Sequence, residues 1–100
     1  MTSETLKDDA ATFLEDADDL AGLSKRDLQK RAFRLKQELG ARYEFSVEGY
    51  EDDYEARLEP TDDGAEARFV VDRRGDETEV SAFVLRDGEA VVNEVEEFRS

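Results

Sequence analysis

The chain has 100 residues, enough for one ordinary domain and too few for two. Its 28 acidic and 14 basic residues give a formal net charge of −14, yet 38% of the chain is hydrophobic and regularly patterned, which argues for a folded core. Without Cys, His or Trp, the chain cannot form disulfides or assemble Ser–His–Asp and Cys–His catalytic groups, and a structural zinc ion is excluded.

Residues 3–21 predict an amphipathic helix. Leu6, Ala10, Phe13, Ala17 and Leu20 are spaced 4-3-4-3 and fall on one stripe, with Leu14 at its edge. Gly22 is the natural stop, and Leu23 can supply the apolar contact that follows one. Ser24 opens a second helix as N-cap, with Asp27 three residues on to complete a capping box. Leu28, Ala32, Leu35 and Leu39 form its apolar stripe, and Gly40 closes it. A link this short favours an αα-hairpin whose stripes share a core.

After Gly40 the period changes to two. Tyr43, Phe45 and Val47 alternate with Glu44, Ser46 and Glu48, the pattern of a half-buried strand, which Gly49 to Asp53 interrupts. Tyr54, Ala56 and Leu58 alternate until Pro60. Thr61-Asp62-Asp63-Gly64 predicts a turn, and Ala67, Phe69 and Val71 a third strand. After the polar turn at 72–76, a fourth strand covers 79–85, and Asp87-Gly88 is a strong hairpin signal. Val91, Val92, Val95 and Phe98 fit a helical face, but β-branched Val after a hairpin turn favours a strand for 89–93; the type of 94–98 stays open. The expected fold is α+β in a single domain spanning 1–100. An N-terminal αα-hairpin over 3–39 packs on one face of a four- to five-stranded antiparallel β-meander over 42–98.

Charge is unevenly distributed. Lys25, Arg26, Lys30, Arg31, Arg34, Lys36 and Arg42 cluster on the second helix and its exit, against only Asp27 and Glu38. Residues 43–100 hold six Arg against nineteen acids. Arg26, Lys30 and Arg34 follow an i, i+4, i+8 line away from the apolar stripe, with Phe33 on the flank between that line and the core. These four residues are the candidate partner-binding set. Such a face could dock an acidic protein, or contact nucleic acid through phosphate neutralisation and stacking. It could equally neutralise its own molecule, its stems covering apolar surface. Affinity drawn from counterion release falls steeply with salt, so a line of three or four cations favours a protein partner or self-neutralisation over nucleic acid.

The remaining motifs carry less. The glycines stand singly, with no phosphate-binding loop. Carboxylate pairs at Asp8/Asp9, Asp18/Asp19, Asp52/Asp53 and Asp62/Asp63 could suit Mg²⁺ or Ca²⁺, but in so acidic a chain adjacent hydrated surface acids are the expectation. Arg74-Gly75-Asp76 spells an adhesion tripeptide and is better explained as a hairpin turn. Tyr43, Tyr50 and Tyr54 are expected to pack on strand faces. No cofactor or metal is implied.

The bias toward Asp and Glu, with ten Arg, four Lys and no Ile, resembles the compositional style of salt-in halophilic archaeal proteins. In about 1 M salt the Debye length is only ~3 Å, which screens the self-repulsion of such a chain. Met1–Glu4 lack the basic and apolar regions of a signal peptide, so a cytoplasmic protein is expected. With no catalytic constellation in view, the expected role is a non-catalytic protein-interaction module, a homodimer or a binder of another protein. The first helix's regular stripe could supply an intermolecular seam. The alternative is a nucleic-acid-associated accessory protein using Arg26, Lys30, Phe33 and Arg34.

Overall fold

The computed structural model describes residues 3–39, 42–61 and 66–99. The elements run α1 (Ser3–Glu15), α2 (Ala17–Leu20), α3 (Lys25–Glu38), β1 (Tyr43–Tyr50), β2 (Asp53–Pro60), β3 (Glu66–Arg74), β4 (Glu77–Arg86) and β5 (Glu89–Arg99). The strands form one five-stranded antiparallel meander in chain order, and the helices cover one of its faces. The fold is therefore the α+β arrangement expected from the alternating patterns. The expected stop at Gly40 and the turn residues Asp62–Gly64 lie outside the described residues.

Leu6, Ala10, Phe13, Ala17 and Leu20 are all buried, as the 4-3-4-3 spacing requires. The helix they define is not continuous. It breaks at Asp16, whose N–H donates to the Phe13 carbonyl at 3.1 Å, a three-residue turn in place of the α-helical bond. Asp is well suited to such a junction because its short polar side chain competes with the helical ladder. The break lets α1 lie over β4 while α2 carries Ala17 and Leu20 into the same core. This stripe is sealed against the protein's own sheet, so it cannot serve as the intermolecular seam the spacing allowed.

α3 begins at Ser24, whose side chain accepts from the Asp27 N–H at 3.2 Å. Its Leu28, Ala32 and Leu35 are buried, as is Leu39 at the C-cap. In the core centre Phe13 stacks on Phe69 with ring centroids 5.2 Å apart, and Tyr43 tilts against Phe69 at 5.4 Å.

Among the described residues, three of the four strand connections are two-residue turns. Tyr50 pairs with Asp53 around Glu51-Asp52, so β1 runs through Gly49 instead of ending there. Gly49 has φ +113°, and a Cβ there would lie 2.3 Å from the Asp53 carbonyl oxygen, so only glycine fits. Arg74 pairs with Glu77 around Gly75-Asp76, which makes the Arg-Gly-Asp tripeptide a hairpin corner. Asp87 and Gly88 both have positive φ, as a primed hairpin turn demands. The segment 94–98, left open between helix and strand, is strand: β5 pairs with β4 to its end, with a register shift that leaves Val91 without a partner. Of the three tyrosines, Tyr43 and Tyr54 are buried on the sheet face as expected, whereas Tyr50, at the tip of β1, is 83% exposed.

Candidate functional site

The orientation of α3 is fixed at its N-terminal end by the sheet. The Tyr54 hydroxyl donates to the Leu23 carbonyl at 2.8 Å. Arg73 reaches from β3 to the carbonyls of Gly22 (2.9 Å) and Leu23 (2.7 Å), and its Nε donates to Gly75 O at 3.0 Å. The Lys25 N–H donates to Glu51 O at 3.2 Å, and its Nζ to Gly49 O at 2.9 Å. These bonds tie the start of α3 to the β1–β2 turn, while its apolar stripe packs inward. Its opposite side is thereby held toward solvent.

That side carries the four residues singled out in the sequence. Arg26, Lys30 and Arg34 are exposed, and Phe33 is 66% exposed. Helical geometry adds Gln37, also exposed, in the middle of the same face. None of the three cations has a hydrogen-bond or ion-pair partner among the described residues. Arg31 and Arg42 of this segment do, Arg31 with Asp16 at 3.2 Å and Asp19 at 3.6 Å, and Arg42 with Asp9 at 3.0 Å, whereas half-buried Lys36 has none among the described residues. Self-neutralisation accounts for Arg31 and Arg42, not for the Arg26–Lys30–Arg34 line.

The outward face of the sheet has a feature that alternation alone does not reveal. Glu48 pairs with Glu55, Glu55 with Asp72, Asp72 with Glu79, and Glu79 with Glu97. One cross-strand row of five carboxylates therefore spans all five strands. Like charges directly opposite one another on a sheet are destabilising, so the row is costly at low salt. Arg57 relieves Glu55 at 3.0 Å and Arg74 relieves Asp72 at 3.1 Å. Glu48, Glu79 and Glu97 have no cation partner among the described residues. The next row holds Ser46, Arg57, Val70, Ser81 and Val95, and Phe83 lies beyond it. Val95 is 53% exposed and Val70 half-buried, so two apolar side chains, with Ser81 between them, border the acidic row.

A buried polar cluster lies on the opposite, helix-facing side of the sheet. Asp9 of α1 is 7% exposed and accepts a 2.6 Å hydrogen bond from the Tyr43 hydroxyl, while Arg42 Nη2 approaches its two oxygens at 3.0 and 3.2 Å. Burial, reinforced by Asp9, pushes the Tyr43 phenol far above its ordinary pKa, and burial raises Tyr54 against the opposing charge of Arg73. Asp9 is thus not the hydrated surface acid expected of an Asp-Asp pair. The signal was available: Asp9 stands three residues after Leu6 and four before Phe13, inside the apolar stripe. Among the described residues no three carboxylates converge as metal ligands, and no helix is long and apolar enough to cross a membrane.

No protein-family model, curated protein or solved structure matches the chain.

Proposed function

We propose that this chain is a non-catalytic protein-interaction module of a salt-adapted cytoplasm, and that its docking face is the exposed side of α3 with Arg26, Lys30, Phe33 and Arg34. One observation carries the reading. In a molecule of net charge −14, three cations and an aromatic ring stand in solvent, the cations without partners among the described residues, on a helix whose rotation is fixed by its own packing. An exposed Phe flanked by Arg is the composition of a binding anchor, since aromatic and Arg side chains dominate interface energetics. The partner surface is acidic. Three cations make a short electrostatic footprint, and phosphate contacts lose affinity steeply with salt, which favours an acidic protein over nucleic acid.

The test is capture by the tagged protein in molar KCl, with and without nuclease, alongside a variant carrying Arg26→Glu, Lys30→Glu and Arg34→Glu. A partner that survives nuclease and is lost in the variant supports the reading. A nuclease-sensitive partner makes the face a nucleic-acid contact instead. Equal capture by both proteins removes α3 from the interface.

A further inference from the structure

Resting on the reading of α3 as a docking face, we propose that the surface it docks on is the outward sheet face of a second copy of this chain. Arg26, Lys30 and Arg34 lie over the five-carboxylate row, and Phe33 is seated between Val70 and Val95, over Ser81, beside it.

Complementarity of charge, length and apolar content carries this. Residues four apart on a helix are separated by about 6 Å along its axis, so Arg26 to Arg34 covers ~12 Å. Neighbouring strands are ~4.8 Å apart, so the row from Glu48 to Glu97 covers about 19 Å. The cation line fits within the row, and long Arg and Lys side chains absorb the difference in pitch. The groups without partners among the described residues also match in number: Arg26, Lys30 and Arg34 on the helix, Glu48, Glu79 and Glu97 on the sheet. Phe33 stands to one side of the cation line, and Val70 and Val95 stand to one side of the acidic row, two residues along their strands. An aromatic seated there excludes water from the adjacent ion pairs, and pairs withdrawn from solvent are screened much less by salt.

The layering of the fold sets the geometry of association. α3 covers the inner face of the sheet and turns its cations away from it, while the acidic row faces out on the other side. One molecule cannot bring its two surfaces together, and two molecules bringing them together leave one of each free. The contact is therefore head-to-tail, and it extends or closes into a ring instead of stopping at a two-fold dimer. A pairing of two β5 edges is disfavoured, because Glu89, Glu94, Glu96 and Glu97 crowd that strand with like charge.

The experiment is sedimentation equilibrium of the purified full chain in about 1 M KCl, where charge repulsion is largely screened, over a wide concentration series. A helix variant carries Arg26→Glu, Lys30→Glu and Arg34→Glu; a sheet variant carries Glu48→Lys, Glu79→Lys and Glu97→Lys. The unaltered protein is expected to gain mass with concentration past the dimer. Each variant alone is expected to stay monomeric, with unchanged far-ultraviolet circular dichroism. An equimolar mixture of the two is expected to associate again, because each retains the surface the other has lost. That recovery also shows that both variants are folded. An unaltered protein that stays monomeric throughout overturns the inference, while the α3 reading still stands or falls on the capture experiment. Association that stops at a dimer, or a mixture that stays monomeric while the unaltered protein associates, overturns the head-to-tail pairing of these two faces.

Discussion

Replacing Tyr43 by Phe isolates one hydrogen bond and gives it a magnitude. The phenol oxygen is 2.6 Å from an Asp9 carboxylate that is 7% exposed, and the rest of the Tyr43 ring is core. The substitution keeps the ring against Phe69 and removes only the donor. Asp9 is then left with Arg42, whose side chain is 40% exposed and therefore partly occupied by water. A hydrogen bond to a charged group contributes about 1.5–3 kcal/mol, and burial of the acceptor places this one in that range, so a loss of about 2 kcal/mol is expected. In a domain of this size 1 kcal/mol moves the melting temperature by about 4–8 °C, which predicts a fall of ~8–16 °C. Thermal melts in molar KCl, followed by circular dichroism, measure it. Asp9→Ala is expected to cost at least as much, and the double variant clearly less than the two losses combined, because both substitutions act on one interaction. A Tyr43→Phe melt within about 3 °C of the original, or losses that simply add, would refute the assignment of Asp9–Tyr43 as a tie between α1 and β1. Tyr50→Phe, at an exposed site, is the control and should change nothing measurable.

Other expectations follow from the same geometry. The folded state holds the Tyr43 and Tyr54 protons more tightly than the unfolded chain does, so the stability linked to them is complete below the ordinary phenol pKa of about 10 and is lost as pH rises past it. Urea midpoints should therefore fall between about pH 9 and 11, and fall less in Tyr43→Phe; equal slopes in the two proteins would contradict this. Gly49→Ala should cost about 2 kcal/mol or more, since it adds a 2.3 Å approach to a positive φ, and Gly88→Ala should cost less because nothing lies within 4 Å of its Cβ position. Glu79→Gln should raise stability by about 0.5 kcal/mol at low salt, relieving its opposed neighbours Asp72 and Glu97, with the gain shrinking in molar KCl.

What the sequence disclosed follows from how strongly each element is half-buried. The helical stripes and β2 to β4 have one face in the core and one in water, so their periodicity is clean. β5 is an edge strand with little of the helical layer above it: Val92 and Phe98 are half-buried toward the core, while Glu94 and Glu96 on the same face are exposed. With neither face fully buried, alternation is lost, and the unpaired Val91 shifts its phase further. The break at Asp16 was hidden because the apolar spacing continues across it. The basic line on α3 was readable because helix spacing is local. The five-carboxylate row was not, because it exists only once the register of four strand pairings is fixed.

The two charged surfaces should respond to salt in opposite senses, and that difference separates stability from association. Five opposed carboxylates and a net charge of −14 push the folded chain apart in dilute buffer, so added KCl stabilises the monomer until the repulsion is screened. The same screening weakens the pairing of Arg26, Lys30 and Arg34 with that row. The apolar contact of Phe33 does not depend on screening, so association should decline with KCl without vanishing. Unfolding free energy is therefore expected to climb with KCl and level off, while the association constant declines over a range in which stability still rises. Measuring both on one preparation discriminates sharply. If association instead strengthens in parallel with stability, relief of repulsion between copies of net charge −14 outweighs the loss of ion pairing, and an unchanged association constant in the Arg26→Glu, Lys30→Glu, Arg34→Glu variant would then show that the basic line plays no part.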